Sequence, residues 1–176
     1  MQTGVVRKRN TSPLSEFGRQ LKEKQTLKLE YNLRERQFQN YVNEALAESR
    51  KGAGNSPELL MRRLEMRLDS IVFKMGFAAT RAQARQMVTH GHFWVGGKPV
   101  DVPSMRLKKG DVVALRPSSM KKALFQNLQL ALKKYEAPAW IQLDKEKMEA
   151  AIIGEPSLQA ISPNVELALI FEFYSR

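Results

Sequence analysis

The chain has 176 residues, with 29 Lys/Arg against 18 Asp/Glu, a formal net charge of +11 and a pI near 10.0. With 43% hydrophobic residues and no cysteine, it can build a real core but neither disulfides nor the usual structural zinc sites. No run approaches the ~20 apolar residues that span a bilayer, and no apolar segment follows Arg7, Lys8 and Arg9 as a signal peptide requires, so a polyanionic partner, nucleic acid above all, is expected instead.

Residues 1–14 are polar and basic and are expected to form an arm that orders against a partner. Ser15 caps a helix expected to reach about Glu30, with Glu16 at its start and Lys22, Lys24 and Lys28 toward its end, as the helix dipole favours. A second helix is expected from about Asn32 to Ser49, with Phe38, Tyr41, Val42 and Ala45 on its buried face. The KGAGNSP break at 51–57 follows, with Ser56 as cap and Pro57 opening the next helix.

From Glu58 the pattern predicts one long helix. Leu60, Leu64, Leu68, Ile71 and Met75 fall within about 80° of one another. Arg63, Arg67 and Lys74 fall within about 40° on a neighbouring stripe, apart from Glu65 and Asp69. Such a stripe is either a solvated flank or a ligand-facing surface, and the segregation of opposite charge favours the second. Gly76 ends this helix. Thr80 caps another that runs to Gly91, with Ala84, Met87 and Val88 inward. Arg81 and Arg85 lie one turn apart, and two forked guanidinium groups can grip successive phosphate oxygens. Their replacement by alanine is expected to leave the fold intact.

A small antiparallel sheet is expected next. Phe93-Trp94-Val95 is a strand, Gly96-Gly97 a tight turn, and Lys98-Pro99-Val100 a return strand that Pro99 places at an edge. Residues 108–111 turn into the strand Val112–Leu115, so Lys98, Lys108 and Lys109 sit on loops. Beyond it the pattern suggests a helix over 119–134 with Leu124, Leu128 and Leu132 as its apolar row. A strand at 140–144, a short helix or turn at 145–153, and a final strand from Val165 to Phe173 complete the chain. Residues 62–122 hold thirteen basic and four acidic residues, a local net of +9.

The block RRLEMRLDSIVFKMGFAATRAQARQMVTHGHFWVGGKPVDVPSMRLKKGDVV resembles the RNA-binding domain of the S-four family of small-subunit ribosomal proteins. SEFGRQLKEKQTLKLEYNLRERQFQNY is similar to that family's N-terminal helical part, and VELALIFEFYSR to its closing strand and tail, so the resemblance spans roughly Ser15 to Arg176. It implies an α+β fold: an N-terminal helical domain completed by the C-terminal segment, with an inserted RNA-binding domain of two helices plus a small antiparallel sheet. The divisions expected are a basic arm at 1–14, helical domain at 15–61, RNA-binding domain at 62–126, and a C-terminal helix and strands at 127–176 packing back on both.

Expected partners are small-subunit ribosomal RNA, ribosomal protein S five, and mRNA near its channel into the ribosome, in the cytoplasm and with no membrane or small-molecule substrate. The family also implies early docking at a multi-helix rRNA junction and an influence on decoding accuracy. The rRNA contacts expected are Arg62, Arg63, Arg67, Lys74, Arg81, Arg85, His90, His92, Lys98, Arg106, Lys108, Lys109, Lys121 and Lys122. Arg7, Lys8, Arg9, Arg19, Lys22, Lys24, Arg34 and Arg36 are expected to contact rRNA or mRNA from the N-terminal part. No cofactor, metal or catalytic residue is expected, since His90 and His92 lack a third ligand nearby in sequence. Three departures from the family pattern stand out: a short N-terminus without zinc-binding cysteines, Gly-Gly for Asn-Gly in the hairpin turn, and Trp94 in place of an aliphatic residue. Trp94 is either a half-exposed strand residue or a platform for an unpaired base. The competing functions are an RNA-modifying enzyme, for which Arg67-Leu68-Asp69 would be the catalytic echo, and a free RNA-binding chaperone.

Overall fold

The computed structural model describes residues 13–175; the contacts expected at Arg7, Lys8 and Arg9 lie outside them. The Ser15 hydroxyl accepts the Gly18 amide and opens α1 (Glu16–Glu30). Asn32 turns the chain with a φ of 51°, so α2 (Glu35–Arg50) starts later than the pattern suggests. Helix α3 (Ser56–Glu65) is capped by Asn55 rather than Ser56, with Pro57 in its first turn.

The long helix expected from Glu58 is two helices. After α3 the chain is extended at Arg67 (φ −73°, ψ 145°), and α4 (Leu68–Lys74) starts afresh. The break exists because the backbone there bonds to a distant loop. Leu68 N–H donates to the Met105 carbonyl, Asp69 N–H to Pro103, and Leu107 N–H to Met66. Those bonds replace the helical ones that the break removes. Gly76 follows α4 with a φ of +79°, and a Cβ there would lie 2.8 Å from the Tyr135 ring, so glycine is required twice over. Thr80 caps α5 (Arg81–Thr89) by accepting the Gln83 amide.

The sheet has five antiparallel strands: β1 (Phe93–Val95), β2 (Lys98–Val100), β3 (Val112–Leu115), β4 (Ile141–Asp144) and β5 (Glu149–Ile152), in the order β2-β1-β3-β5-β4. β5 corrects the helix or turn expected at 145–153; Ala150 and Ile152 point into the core from an inner strand. The helix expected over 119–134 is also corrected. That stretch is α6 (Pro117–Met120), a 3₁₀ turn at Ala123–Phe125 and α7 (Leu128–Leu132). Phe125 is buried in place of Leu124, which stands 50% exposed.

After α8 (Leu158–Ile161), the strand expected from Val165 is instead helix α9 (Leu167–Tyr174). Leu167 and Ile170 are buried at helical spacing, and Phe173 meets Phe17 of α1 with ring centroids 5.7 Å apart. Two apolar cores result. One joins Leu27, Phe38, Val42, Leu60 and Leu64 to Leu167 and Ile170 of α9. The other lies under the sheet and α4–α5, around Ile71, Met75, Phe93, Leu107 and Val113.

The closing helix is clasped by polar bonds as well. Lys24 is buried, with Nζ 2.6 Å from Glu35 Oε1 and 4.6 Å from the Phe173 ring centre. The Tyr174 hydroxyl donates to the same carboxylate at 2.8 Å, and Gln20 Nε2 donates to Glu172. Lys24 is therefore withdrawn from the surface on which the sequence pattern places it. Partial burial alone would raise the Glu35 pKa, but hydrogen bonds from Lys24, Tyr174 and Lys28 outweigh it and hold the carboxyl at about 2. A carboxylate depressed in the folded state stabilises above its unfolded pKa near 4.3, and that contribution is lost as pH falls toward 2. Urea unfolding should thus find the wild type more stable than Glu35→Gln at pH 6, with the gap closing between about pH 4.5 and 2; a pH-independent gap would contradict the clasp.

Candidate nucleic-acid interface

The basic residues of 62–122 separate into those turned inward and those left outside. The first group lies where the N-terminal helices meet α4 and α5. Arg67 is 2% exposed. Its Nε and Nη2 donate to both oxygens of Asp69, at 2.9 and 2.6 Å, and its Nη1 donates to the Tyr41 hydroxyl. Burial alone would lower the Arg67 pKa; the Asp69 carboxylate more than offsets this and raises it. Arg81 donates to Ser70 Oγ and to Glu65 Oε1, each at 3.1 Å, while its guanidinium lies 4.0 Å from the Tyr31 ring centre and 4.8 Å from that of Phe73. Glu65 is fully buried and also accepts from the Tyr31 hydroxyl, with Lys74 Nζ at 4.0 Å. Burial, then the nearby Glu65 charge, pushes the Tyr31 pKa well up, so the phenol stays a donor.

The stripe predicted for Arg63, Arg67 and Lys74 does not form, because the helix breaks at Arg67 and turns that side chain inward. Arg63 binds Glu44 and Glu48 of α2, and Arg85 Nη1 reaches the Asn32 carbonyl at 3.3 Å. Glu65 and Asp69, read as lying on a separate face, are the partners of Arg81 and Arg67. The Arg81→Ala and Arg85→Ala pair therefore cannot be expected to leave the fold intact, since it strands the buried Glu65. The Arg67-Leu68-Asp69 triplet is likewise a buried ion pair.

His92 is buried too, with Nδ1 2.9 Å from Ser119 Oγ and its ring edge-on to Phe125. Burial, then Lys122, His90 and Arg116, lowers its pKa and favours the neutral ring. His90, by contrast, is exposed at the end of α5. Trp94 is half-buried in β1, in register with Pro99 and Ala114.

The outward group sits at the two ends of the sheet. Lys98 follows the β1–β2 turn, and the Lys108–Gly110 turn leads into β3 at the same end. Arg106, Lys108 and Lys109 are exposed, and neither they nor Lys98 form an ion pair among the described residues. At the other end His90, Lys121 and Lys122 gather with Arg116, whose amide donates to the His92 carbonyl at 2.8 Å. Arg116 was overlooked in the sequence; its signal was its place directly after the Val112–Leu115 strand. In the helices Arg19, Lys22, Arg34 and Arg36 are exposed. Arg62 is half-buried and pairs with Glu58 and Glu155. Among the described residues no group of His, Cys, Asp or Glu could hold a metal ion, and no helix is long and apolar enough to cross a membrane.

Residues 66–113 match the S4 domain family, and residues 2–65 match the ribosomal protein S4/S9 N-terminal domain. The small ribosomal subunit protein uS4 of Persephonella marina is 41% identical over 175 residues, which is 99% of this chain and 83% of the relative. This chain belongs to the uS4 family of small ribosomal subunit proteins. The uS4 of Thermotoga petrophila is 42% identical over 164 residues, 93% of this chain and 77% of its own. That of Herpetosiphon aurantiacus is 41% identical over 165 residues, 93% and 76% of the two chains. The boundary between the two family matches, at 65/66, falls on the break between α3 and α4 of this uS4 protein, beside its buried arginines.

Removing one partner from a buried ion pair leaves an uncompensated charge, at a cost of about 3–5 kcal/mol. Asp69→Ala in this uS4 protein should lose stability on that scale in denaturant unfolding. A loss below about 1 kcal/mol, the scale of a surface pair, would show that Arg67 is not locked as described.

Proposed function

We propose that this protein is a structural constituent of the small ribosomal subunit, binding small-subunit rRNA through its S4 domain and acting by binding rather than catalysis. Membership of the uS4 family carries this reading. The sheet-end cations give it a physical basis. RNA helices are recognised mostly through shape, phosphates and 2′-hydroxyls. Lys98, Arg106, Lys108 and Lys109 form no ion pair among the described residues, and His90, Arg116, Lys121 and Lys122 form none at the other end. Lys74 and Arg85, half-buried at the seam, complete the contact surface. Arg19, Lys22, Arg34 and Arg36, with Arg7, Lys8 and Arg9, extend it along the helices.

The finer reading follows from the same charges. Phosphates brought together where several rRNA helices converge repel one another, and a folded cationic surface lowers that repulsion. The protein accordingly docks early in assembly at a multi-helix junction. It adjoins ribosomal protein S five and the mRNA channel, and influences decoding accuracy. In this reading residues 1–14 are an arm, 15–61 the helical domain, 62–126 the RNA-binding domain and 127–176 the segment that packs back on both, including two strands of the sheet.

Removing one phosphate-neutralising cation reduces the salt slope of binding by roughly 0.7–0.9. Lys98→Ala, Lys108→Ala and Lys109→Ala together should weaken binding to a small-subunit rRNA fragment. They should also flatten the slope of log K against log salt by about 2 to 3, with the melting temperature unchanged. An unaltered slope would exclude these loops as the RNA-facing surface. The full-length protein should co-sediment with the small subunit rather than the large one.

A further inference from the structure

We propose that the cleft between α3 and the 106–108 loop is a phosphodiester-binding subsite. In the free protein Glu155 occupies its arginine in place of an RNA phosphate. The inference rests on the RNA-binding reading and adds a site with a built-in competitor.

The cleft measures about 310 Å³ and is lined by Arg62, Met66, Arg106, Leu107, Lys108 and Glu155. Three cations thus face one carboxylate. Met66 and Leu107 are buried and form an apolar floor, and the Leu107 amide donates to the Met66 carbonyl at 2.8 Å. This pairing fixes the loop against the end of α3, so the cations stand on anchored backbone. Arg106 and Lys108 form no ion pair among the described residues. Arg62 is only partly engaged: Nη1 lies 2.9 Å from Glu155 Oε2 and Nη2 3.6 Å from Glu58 Oε1, while its buried Nε has no hydrogen-bond partner among the described residues. Neither carboxylate takes Nη1 and Nη2 together, and a phosphodiester, with two free oxygens, supplies the two-point acceptor that this planar fork is built to meet.

Glu155 lies between β5 and α8, on the connection that returns the chain from the sheet to the helices. Its side chain is 55% exposed, and a pair that exposed contributes little to stability. It can swing away at small cost when a phosphate strand enters. The cleft is assembled from α3, the sheet's loop and this connection, so it exists only while the two cores are docked. Correct docking is then a condition for full affinity, and Glu155 reduces capture of anions too weak to displace it.

The test is a titration of the full-length protein with a small-subunit rRNA fragment at fixed salt, in four forms: wild type, Glu155→Gln, Arg62→Gln and the double variant. Freeing Arg62 from a surface-type pair should tighten binding by about two- to fivefold in Glu155→Gln. Glu155→Gln should tighten binding less in the Arg62→Gln background, where only Arg106 and Lys108 remain in the cleft to gain from its removal. Two results would overturn the proposal: no tightening by Glu155→Gln, or equal or greater tightening in the Arg62→Gln background. Failure of the wild type to bind this RNA would overturn the broader reading and this proposal with it. Wild-type binding with an unresponsive Glu155→Gln overturns the proposal alone.

Discussion

A buried guanidinium must be paired, and in this chain two of them decide how the halves sit together. Arg67 leaves the α3–α4 break with Asp69 on one edge and Tyr41 of α2 on the other. Arg81 leaves α5 and lies against Tyr31, with Glu65 at its end. Each arginine belongs to the sheet-bearing part and reaches an aromatic side chain of the N-terminal helices. Sliding the two parts would expose one charge or strand another. The net stabilisation from such pairs is small, because desolvation offsets the attraction. Their effect is on geometry: few relative positions satisfy every donor.

That geometry determines which charges face outward. The net charge of +11 does not form one uniform patch. Several arginines are turned inward, and exposed cations lie on the loops at the two ends of a five-stranded sheet and along the N-terminal helices. A strand of three or four residues spans roughly 10–13 Å, so the two groups are separated by about that distance rather than adjacent. Such spacing suits a ligand with phosphates on several strands better than a single small anion.

Much of this was legible from the sequence, and the failures have physical causes. Helices α1, α2 and α5, the Gly96-Gly97 hairpin and the edge strand with Pro99 follow local rules of capping and turn chemistry, and those rules held. The α3–α4 break could not be seen, since Leu64, Leu68 and Ile71 continue the apolar rhythm and the cause is a backbone pairing with residues 103–107. The α9 helix was misjudged because Ile170, Phe171, Phe173 and Tyr174 favour strands. Yet Leu167, Ile170 and Tyr174 carried the helical spacing that docking on α1 selects. For β5, Ala150 and Ala151 gave little strand signal, and its place between β3 and β4 is set by tertiary pairing. The basic block was visible as charge. Which arginines it would turn inward was not, because Tyr31, Tyr41 and Asn32 lie far from them in the chain. The loop lysines were legible, since turns must be exposed.

The central claim is that the free cations of the sheet-end loops, not the total charge, meet the RNA. It is tested most directly by lysine acylation read by mass spectrometry on the full-length protein, free and bound to small-subunit rRNA. Lys98, Lys108 and Lys109 should lose reactivity on binding, whereas Lys51, exposed after the last turn of α2 and away from the sheet, should keep it. Protection of Lys51 with Lys98, Lys108 and Lys109 as reactive as in the free protein would contradict the account.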